Sequence, residues 1–174
     1  MIIEFPIKDK NDLKKLRAGD RVEISGTIYT ARDAAHKKLT EAIKNGEKLP
    51  VELLGQAIYY TGPCPAPKGR PIGSCGPTTS ARMNDYAPVL LDLGQAAIIG
   101  KGNMSDSVTD ALKRNGAVYF AACGGAGALL AHCVKECETV AYPELLSEAI
   151  YRLKIEKMPL TVAIDCLGNN IYKR

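Results

Sequence analysis

Strand-like and helix-like segments alternate through the middle of this chain, with glycine-rich turns between them. The apolar run QAAIIG predicts a strand that leads into the turn GKGN, after which Ser105 can cap a helix from Asp106 to Arg114. The run AVYFAA predicts the next strand, followed by the turn CGGAGA and a helix over LLAHCVKEC. Extended segments lie at both ends. This order favours an α/β domain with a mixed sheet over a purely doubly wound one.

The N-terminal part predicts a small helix, a strand and a longer helix. The small helix lies at Asn11–Leu16, and DRVEISGTIY alternates apolar and polar residues as a half-buried strand does. Thr30 then stands where a helix N-cap is expected, with Asp33 as the acidic partner of a capping box. Asn45-Gly46 supplies the stop signal of that helix.

Further strands and one short helix complete the predicted sheet. A strand near Gln56–Tyr60 leads into the loop TGPCPAPKGRPIG, and a short helix covers Tyr86–Leu93. Apolar and polar residues alternate from Ala149 to Lys157, which favours a strand there. LTVAID and NIYKR predict two closing strands about a Gly168-Asn169 turn.

Length and charge exclude several classes of protein. With 174 residues and 46% apolar content, the chain is expected to form one domain over residues 1–174. Its net charge of +4 is mild, and its basic residues alternate with acidic ones, so no nucleic-acid-binding stripe is indicated. No apolar run is long enough to span a bilayer, and the start MIIEFPIKDK lacks the features of a signal peptide. We therefore expect a cytoplasmic protein without a membrane partner.

The cysteines are expected to be reduced thiols in that compartment. None of the six forms a CxxC pair, the spacing of many zinc sites. His132, Cys133 and Cys137 would share one face of the predicted helix and could bind a metal, but buried thiols are the favoured interpretation. The six are Cys64, Cys75, Cys123, Cys133, Cys137 and Cys166.

Hydroxyl and cationic side chains gather on two glycine-rich turns between Gly73 and Asn103. In GPTTSARM, Thr78 and Thr79 offer hydroxyls, and Arg82 offers a planar fork that suits a carboxylate. In IIGKGNMSD, Lys101 and the start of a capped helix can surround an anion with positive charge and N–H groups. A Pro-initiated turn with a capping Thr or Ser is the simpler interpretation of GPTT alone. The two turns together predict a site for a small anionic substrate.

The helix start TARDAAH is a third candidate. Arg32 lies in the predicted first turn, where a cation opposes the helix dipole and is easier to explain if it serves a bound anion. Arg32 and His36 are four residues apart and share a helix face. In the alternative interpretation Asp33 pairs with Lys37, and His36 is a half-buried histidine with satisfied hydrogen bonds. Spacing alone does not decide between these interpretations.

Complete catalytic sets are missing from the sequence. No Ser-His-Asp order, paired carboxylates or Cys-His pattern stands out. GKGN is not a P-loop and CGGAGA lacks the GxGxxG spacing, so close packing of strand on helix is the favoured role of Gly124, Gly125 and Gly127. The cations can hold a substrate, yet nothing in the chain makes a hydroxide leave. The sequence therefore predicts half an active site.

TARDAAH, GPTTSARM, GKGN and the closing VAIDCLGN resemble the β subunit of the iron–sulfur hydro-lyases, which include class I fumarase and L(+)-tartrate dehydratase. The resemblance runs in order through nearly the whole chain. It implies a three-layer β/β/α swivelling domain with a mixed sheet. It also implies a larger α subunit whose cysteines hold a [4Fe–4S] cluster with one open iron acting as a Lewis acid. None of the cysteines of this chain is assigned to that cluster.

The resemblance implies a role for each candidate residue. Arg32, Arg82 and Lys101 would bind the substrate carboxylates, and Thr78 would abstract the proton next to C3 of a malate-like molecule. Asn84 departs from the family pattern, since an aspartate commonly follows RM, and this difference could alter substrate preference or loop packing. The supporting residues would be Asp33, His36 and Thr79.

The implied protein is a hydro-lyase that is active only with its α subunit, as a homodimer or a dimer of heterodimers. Its dicarboxylate substrate is expected to be fumarate or L-malate, with tartrate next. The alternative is a non-catalytic regulatory module that binds a dicarboxylate or a nucleotide alone. The sequence leaves open which diacid is bound and the subunit stoichiometry.

Overall fold

The computed structural model of the chain describes residues 1–173. The strands are β1 (Ile2–Phe5), β2 (Arg21–Thr30), β3 (Ala57–Tyr59), β4 (Ala97–Gly100), β5 (Val118–Ala121), β6 (Val134–Ala141) and β7 (Ile150–Ile164). The helices are α1 (Asn11–Lys14), α2 (Asp33–Lys44), α3 (Ala87–Asp92), α4 (Asp106–Asn115) and α5 (Gly127–His132), with 3₁₀ segments at Ser80–Met83 and Pro143–Glu148. Within these described residues, no helix has both the length and the apolar character needed to cross a membrane.

One mixed sheet contains these strands in the order β1-β2-β3-β4-β5-β7-β6. Neighbouring strands from β1 to β5 are parallel, whereas β7 is antiparallel to β2, β5 and β6. Because β7 pairs with both β2 and β5, the pairings close a ring through β2, β3, β4, β5 and β7. The carboxyl ends of the parallel strands β2 to β5 therefore meet at one edge. The predicted α/β class and mixed sheet are confirmed.

Both faces of the sheet are covered by buried side chains. In β4, Ile98 belongs to one buried cluster and Ile99 to the other, because successive side chains of a strand point to opposite faces. In β5, Tyr119 and Phe120 divide in the same way. The Ile98 cluster includes apolar residues of α2, α3 and α4, and the Ile99 cluster includes those of β1, β7 and α1. Burial on both faces explains why β4 is a continuous apolar run.

Several predicted elements are confirmed. The Ser105 hydroxyl caps α4 by accepting a hydrogen bond from the Val108 amide at 3.4 Å, and Gly116 ends the helix in the left-handed conformation. β3 and α3 lie inside their predicted ranges. The strand predicted from Ala149 to Lys157 is present from Ile150 as part of β7, which continues without a break to Ile164 of the LTVAID segment.

The helix predicted over LLAHCVKEC is wrong beyond His132. Val134 begins β6, which pairs with β7 along the Ile150–Ile155 stretch. This stretch of β7 offers backbone partners to the segment, and strand pairing outweighs local helix propensity. Cys133 and Cys137 therefore do not share a helix face. Across residues 1–173, no three His, Cys, Asp or Glu side chains come together as a metal site.

The predicted capping box at the start of α2 is also wrong. Thr30 is the last residue of β2, and its hydroxyl accepts a hydrogen bond from the Tyr151 amide of β7 at 3.1 Å. The N-cap position belongs to Arg32, which makes no side-chain capping bond. The Thr30 hydroxyl is already engaged by the neighbouring strand, a long-range contact that no local spacing indicates.

The segment NIYKR does not form the predicted closing strand in its described part. Asn170 makes a single bridge to Ile164 of β7, and the chain then turns. The Asn170 side chain accepts a hydrogen bond from the Tyr172 amide at 2.9 Å, which favours a turn over an extended strand. Arg174 lies outside the described residues.

Substitution of Gly100, at the end of β4, tests how closely this part of the fold is packed. A Cβ at this position would lie 1.9 Å from the Ser80 Oγ, far inside van der Waals contact. We expect Gly100→Ala to lower the free energy of unfolding by about 1–3 kcal/mol, as overpacking does in well-packed cores. Chemical denaturation measures this loss. Gly124→Ala is the matched control, because its Cβ would approach Lys101 Cδ at an ordinary 3.8 Å. Equal stability of the two variants would contradict the described packing.

Candidate functional site

The candidate residues follow the strands whose carboxyl ends meet at one edge of the sheet. Arg32 and Asp33 come directly after β2, and Lys101 comes directly after β4. The turn CGGAGA follows β5. Open α/β sheets and closed α/β barrels both bind ligands outside the carboxyl ends of their parallel strands. The sheet topology therefore brings the TARDAAH, GKGN and CGGAGA loops to one side of the molecule.

Two guanidinium groups converge on one carboxylate at this edge. Arg82 Nε donates to Asp33 Oδ1 at 2.9 Å, and Arg32 Nε lies 3.9 Å from Asp33 Oδ2. Arg32 Nε also lies 3.5 Å from Glu148 Oε1. Asp33 thus pairs with both arginines and not with Lys37, so the alternative interpretation of this segment is wrong on that point. Asp33 therefore holds the two guanidinium groups close to each other.

Two polar atoms of this cluster lack hydrogen bonds although they are buried. Arg32 Nε and Asp33 Oδ2 make no hydrogen bond among the described residues, although Arg32 Nε lies within ion-pair distance of both Asp33 and Glu148. Gly62 lies against the same guanidinium, since a Cβ there would come within 2.9 Å of Arg32 Nη1. A buried polar group without a partner costs free energy, so such groups mark places where a ligand or water completes the hydrogen bonding.

The threonine turn and the lysine turn lie side by side. The Thr78 amide donates to the Tyr60 carbonyl at 2.7 Å, which anchors the turn to the chain that follows β3. Thr79 forms a parallel bridge with Lys101, and the Ser80 amide donates to the Lys101 carbonyl at 2.9 Å. Thr78 is half-buried and Thr79 is exposed. The structure therefore joins GPTTSARM to GKGN through their backbones.

The third glycine turn supports the threonine turn from the other side. A Cβ on Gly127 would lie 2.8 Å from the Gly76 nitrogen, and the Cys75 amide donates to the Gly127 carbonyl at 3.1 Å. Gly124 faces the Lys101 side chain. Close packing is thus the role of Gly127, as the sequence indicates, although the packing joins two loops and not a strand to a helix.

His36 lies beneath the site, away from solvent. Its Nδ1 is 2.9 Å from the Arg32 carbonyl, and its ring meets the Tyr60 ring edge-to-face with centroids 4.9 Å apart. Because a carbonyl can only accept, Nδ1 carries the proton and Nε2 holds the lone pair of the neutral ring. Nε2 is buried and has no hydrogen-bond partner among the described residues. The expectation of a half-buried histidine with satisfied bonds is therefore wrong.

This environment makes His36 a source of acid sensitivity. Burial lowers the pKa of His36 from 6.5 to about 4, with the Arg32 carbonyl and Asp33 opposing the shift. Between these two pH values the unfolded chain binds the proton more readily, so stability is full above pH 6.5 and falls as the pH drops toward 4. We expect this residue to account for a loss on the order of 3 kcal/mol.

Denaturation from pH 7 to pH 4 measures that loss. We expect His36→Gln to flatten the pH dependence in this range. The control is His132→Gln, since His132 is exposed and is the other histidine of the chain. An unchanged pH dependence in His36→Gln would show that His36 does not cause the acid sensitivity.

The structure adds Glu148, which the sequence did not single out, and gives the contacts of Asn84, which it did. Glu148 reaches Arg32 from the Pro143–Glu148 segment, and no local pattern links positions so far apart. Asn84 Oδ1 accepts a hydrogen bond from the Ser105 amide at 3.0 Å, which ties the threonine turn to the start of α4. The departure noted at Asn84 therefore occurs at a loop-packing position.

These loops place the cationic side chains of Arg32, Arg82 and Lys101 at one edge of the α/β sheet. The sequence profile of the family described as Fumarase C-terminus matches residues 3–174, and the chain belongs to this family. The putative L(+)-tartrate dehydratase subunit beta of Methanocaldococcus jannaschii is 44% identical over 171 residues, which cover 94% of this chain and 87% of that protein.

Longer relatives also match. Fumarate hydratase 2 of Leishmania major is 39% identical over 169 residues, or 96% of this chain and 30% of the relative. The anaerobic class I fumarate hydratase of Escherichia coli strain K12 is 41% identical over 164 residues, or 93% of this chain and 30% of the relative. The chain thus spans less than a third of the length of these fumarate hydratases.

Proposed function

We propose that this chain is the β subunit of a [4Fe–4S]-dependent hydro-lyase that interconverts fumarate and L-malate, with tartrate dehydration as the next candidate reaction. One observation carries the proposal: the Arg32 and Arg82 guanidiniums meet at a single carboxylate beside the Thr78 and Lys101 turns. The similarity to proteins called fumarate hydratase and tartrate dehydratase subunit beta supports the same activity.

Charge favours a small dianion as the ligand. Arg32, Arg82 and Lys101 provide three positive charges, whereas Asp33 and Glu148 provide two negative ones. The excess is therefore one positive charge. A planar guanidinium fork matches a carboxylate, and the lysine ammonium can meet a second one as a point charge. Asp33 holds the guanidinium groups of Arg32 and Arg82 in position for the first carboxylate of the substrate.

Proton transfer is assigned to Thr78. In dehydration, its oxygen takes the proton from C3 of the hydroxy acid, and the electron pair left behind spreads into the neighbouring carboxylate. Fixed cations there stabilise this charge more in the transition state than in the ground state. A threonine hydroxyl is a weak base, so the proposal assigns its activation to groups outside this chain. In hydration the same groups return the proton to carbon.

The electrophile that takes the hydroxide is assigned to the partner. The side chains of residues 1–173 do not fit a metal cluster, because no three His, Cys, Asp or Glu groups come together. A [4Fe–4S] cluster held by an α subunit would supply Lewis-acid chemistry when bound. The contribution of this chain is to bind and orient the diacid and to move the proton.

Three broader expectations remain part of the proposal. The domain would be the three-layer β/β/α swivelling type, which is supported by the two buried clusters on opposite faces of the sheet. The assembly would be a homodimer or a dimer of heterodimers. The complex would work in the cytoplasm.

Substrate choice tests the proposed reaction. The chain is produced anaerobically together with its cluster-bearing partner, and fumarate, L-malate and L(+)-tartrate are supplied separately. We expect the highest kcat/KM with fumarate and L-malate, because tartrate adds a hydroxyl that needs a partner of its own in the site. Preference for tartrate would reassign the substrate. Turnover of none of the three, with a fully loaded cluster, would contradict the proposed function.

A further inference from the structure

Tyr119 of β5 joins the two turns that carry the candidate residues. Its ring is buried against α3 and α4, and its hydroxyl lies 3.0 Å from Ser80 Oγ and 2.7 Å from the Gly102 carbonyl oxygen. Ser80 belongs to the threonine turn, two residues after Thr78, and Gly102 directly follows Lys101. The Tyr119 hydroxyl therefore contacts both the threonine turn and the lysine turn from the buried side.

The two contacts form a directed chain of hydrogen bonds. The Gly102 carbonyl can only accept, so it takes the one proton of the Tyr119 hydroxyl. The Tyr119 oxygen then accepts from the Ser80 hydroxyl. Burial raises the pKa of Tyr119, which keeps the phenol protonated as this chain requires. Ser80 and Tyr119 are both buried, so the bond between their hydroxyls does not compete with bulk water.

The hydrogen bonds of Tyr119 brace a flexible part of the backbone, that is, they restrain its movement. Gly102 has a φ of +78°, a conformation that glycine adopts freely and leaves freely. The Ser80 amide donates a hydrogen bond to the Lys101 carbonyl at 2.9 Å, and this bond links the threonine turn to the lysine turn. The phenol adds a side-chain link to that backbone bond and to the Thr79–Lys101 bridge.

We propose that Tyr119 is a positioning residue that sets the distance between the proton-transferring Thr78 and the carboxylate-binding Lys101, acting through Ser80 and Gly102. This inference rests on the proposed function for the roles of Thr78 and Lys101. Tyr119 itself touches neither substrate nor reacting atoms. Its hydroxyl matters because small displacements of reacting groups cost large factors in rate.

Amide hydrogen exchange of the full 174-residue chain tests the brace without any activity. In Tyr119→Phe we expect exchange at the Ser80 amide to rise about tenfold, the effect of losing a typical buried hydrogen bond. Exchange at the Val162 amide, which donates to the Asp20 carbonyl in another part of the fold, should stay unchanged. Ser80→Ala keeps the Tyr119–Gly102 bond and should give a smaller rise. Unchanged exchange at Ser80 in folded Tyr119→Phe would overturn the inference.

Kinetics of the complex with its partner supply the second readout. We expect Tyr119→Phe to lower kcat about tenfold or more while KM changes less, because binding groups remain and their alignment is lost. The control is Gln95→Leu, which removes a buried side-chain bond, at 2.8 Å to the Ala97 carbonyl, at the opposite end of β4 from Lys101. Wild-type kcat in Tyr119→Phe would also overturn the inference. If the wild-type complex turns over no diacid, the proposed function fails, and the exchange measurement still decides whether Tyr119 braces the turns.

Discussion

Replacing Arg82 with alanine is expected to lower kcat/KM for fumarate hydration by about 10² to 10³-fold, equivalent to ~2–4 kcal/mol of transition-state stabilisation. The Arg82 guanidinium donates to Asp33 at 2.9 Å at the edge of the sheet. Its side chain is half-exposed, so it can reach a substrate carboxylate. Both KM and kcat should worsen, because the fork binds the ground state and stabilises the charge that develops. Steady-state rates of the complex with its partner measure the effect.

Arg114 provides a matched control for that variant. Its side chain is 48% exposed, compared with 52% for Arg82, and it pairs with Asp92 through two bonds of 2.7 and 2.8 Å on the α3–α4 side of the fold. Arg114→Ala should leave kcat/KM unchanged and cost at most about 1 kcal/mol of stability, as surface ion pairs do. Arg82→Lys should recover little activity, since an ammonium cannot replace a bidentate fork. Normal turnover in Arg82→Ala would remove Arg82 from the site.

Thr78→Ala is expected to lower kcat by about 10² to 10⁴-fold, the usual contribution of a positioned acid–base group. KM should change little, because the arginines and Lys101 still hold the carboxylates. Thr78→Ser keeps the hydroxyl and should retain most of the rate. A kcat near the wild-type value in Thr78→Ala would show that another group moves the proton.

Thr79 gives the comparison within the same turn. It is exposed, and its backbone bridges to Lys101, so its side chain is not needed for that bridge. As a supporting residue, Thr79→Ala should cost far less than Thr78→Ala in the same assay. Equal losses in the two variants would mean that the turn is disrupted as a whole and that the assignment of the proton step to Thr78 has no support.

Local patterns were sufficient to predict the parts of this fold that short-range physics controls. Ser105 caps α4 because its hydroxyl bonds an amide three residues on, which spacing alone indicates. The alternation in β7 predicts a strand because one face is buried. The helix over LLAHCVKEC fails because β6 depends on pairing with β7, a contact that no local window contains.

The candidate site was likewise predictable only where local sequence patterns indicate it, and not where it depends on contacts between distant segments. The sequence singled out Arg32, Arg82 and Lys101 because cations beside glycine turns are unusual in a plain surface loop. It could not indicate that Arg82 pairs with Asp33, or that Glu148 approaches Arg32, because these contacts join distant segments. His36 lies four residues from Arg32, yet its complete burial follows from the packing of Tyr60, which lies in another segment.

The most direct test separates the two chains of the proposed enzyme. The purified chain, free of metal, and its cluster-bearing partner are assayed for fumarate hydration alone and after anaerobic mixing. We expect no turnover by either chain alone and full activity in the mixture. Full-rate conversion of fumarate to malate by the metal-free chain alone would contradict the proposed division of the active site between two chains.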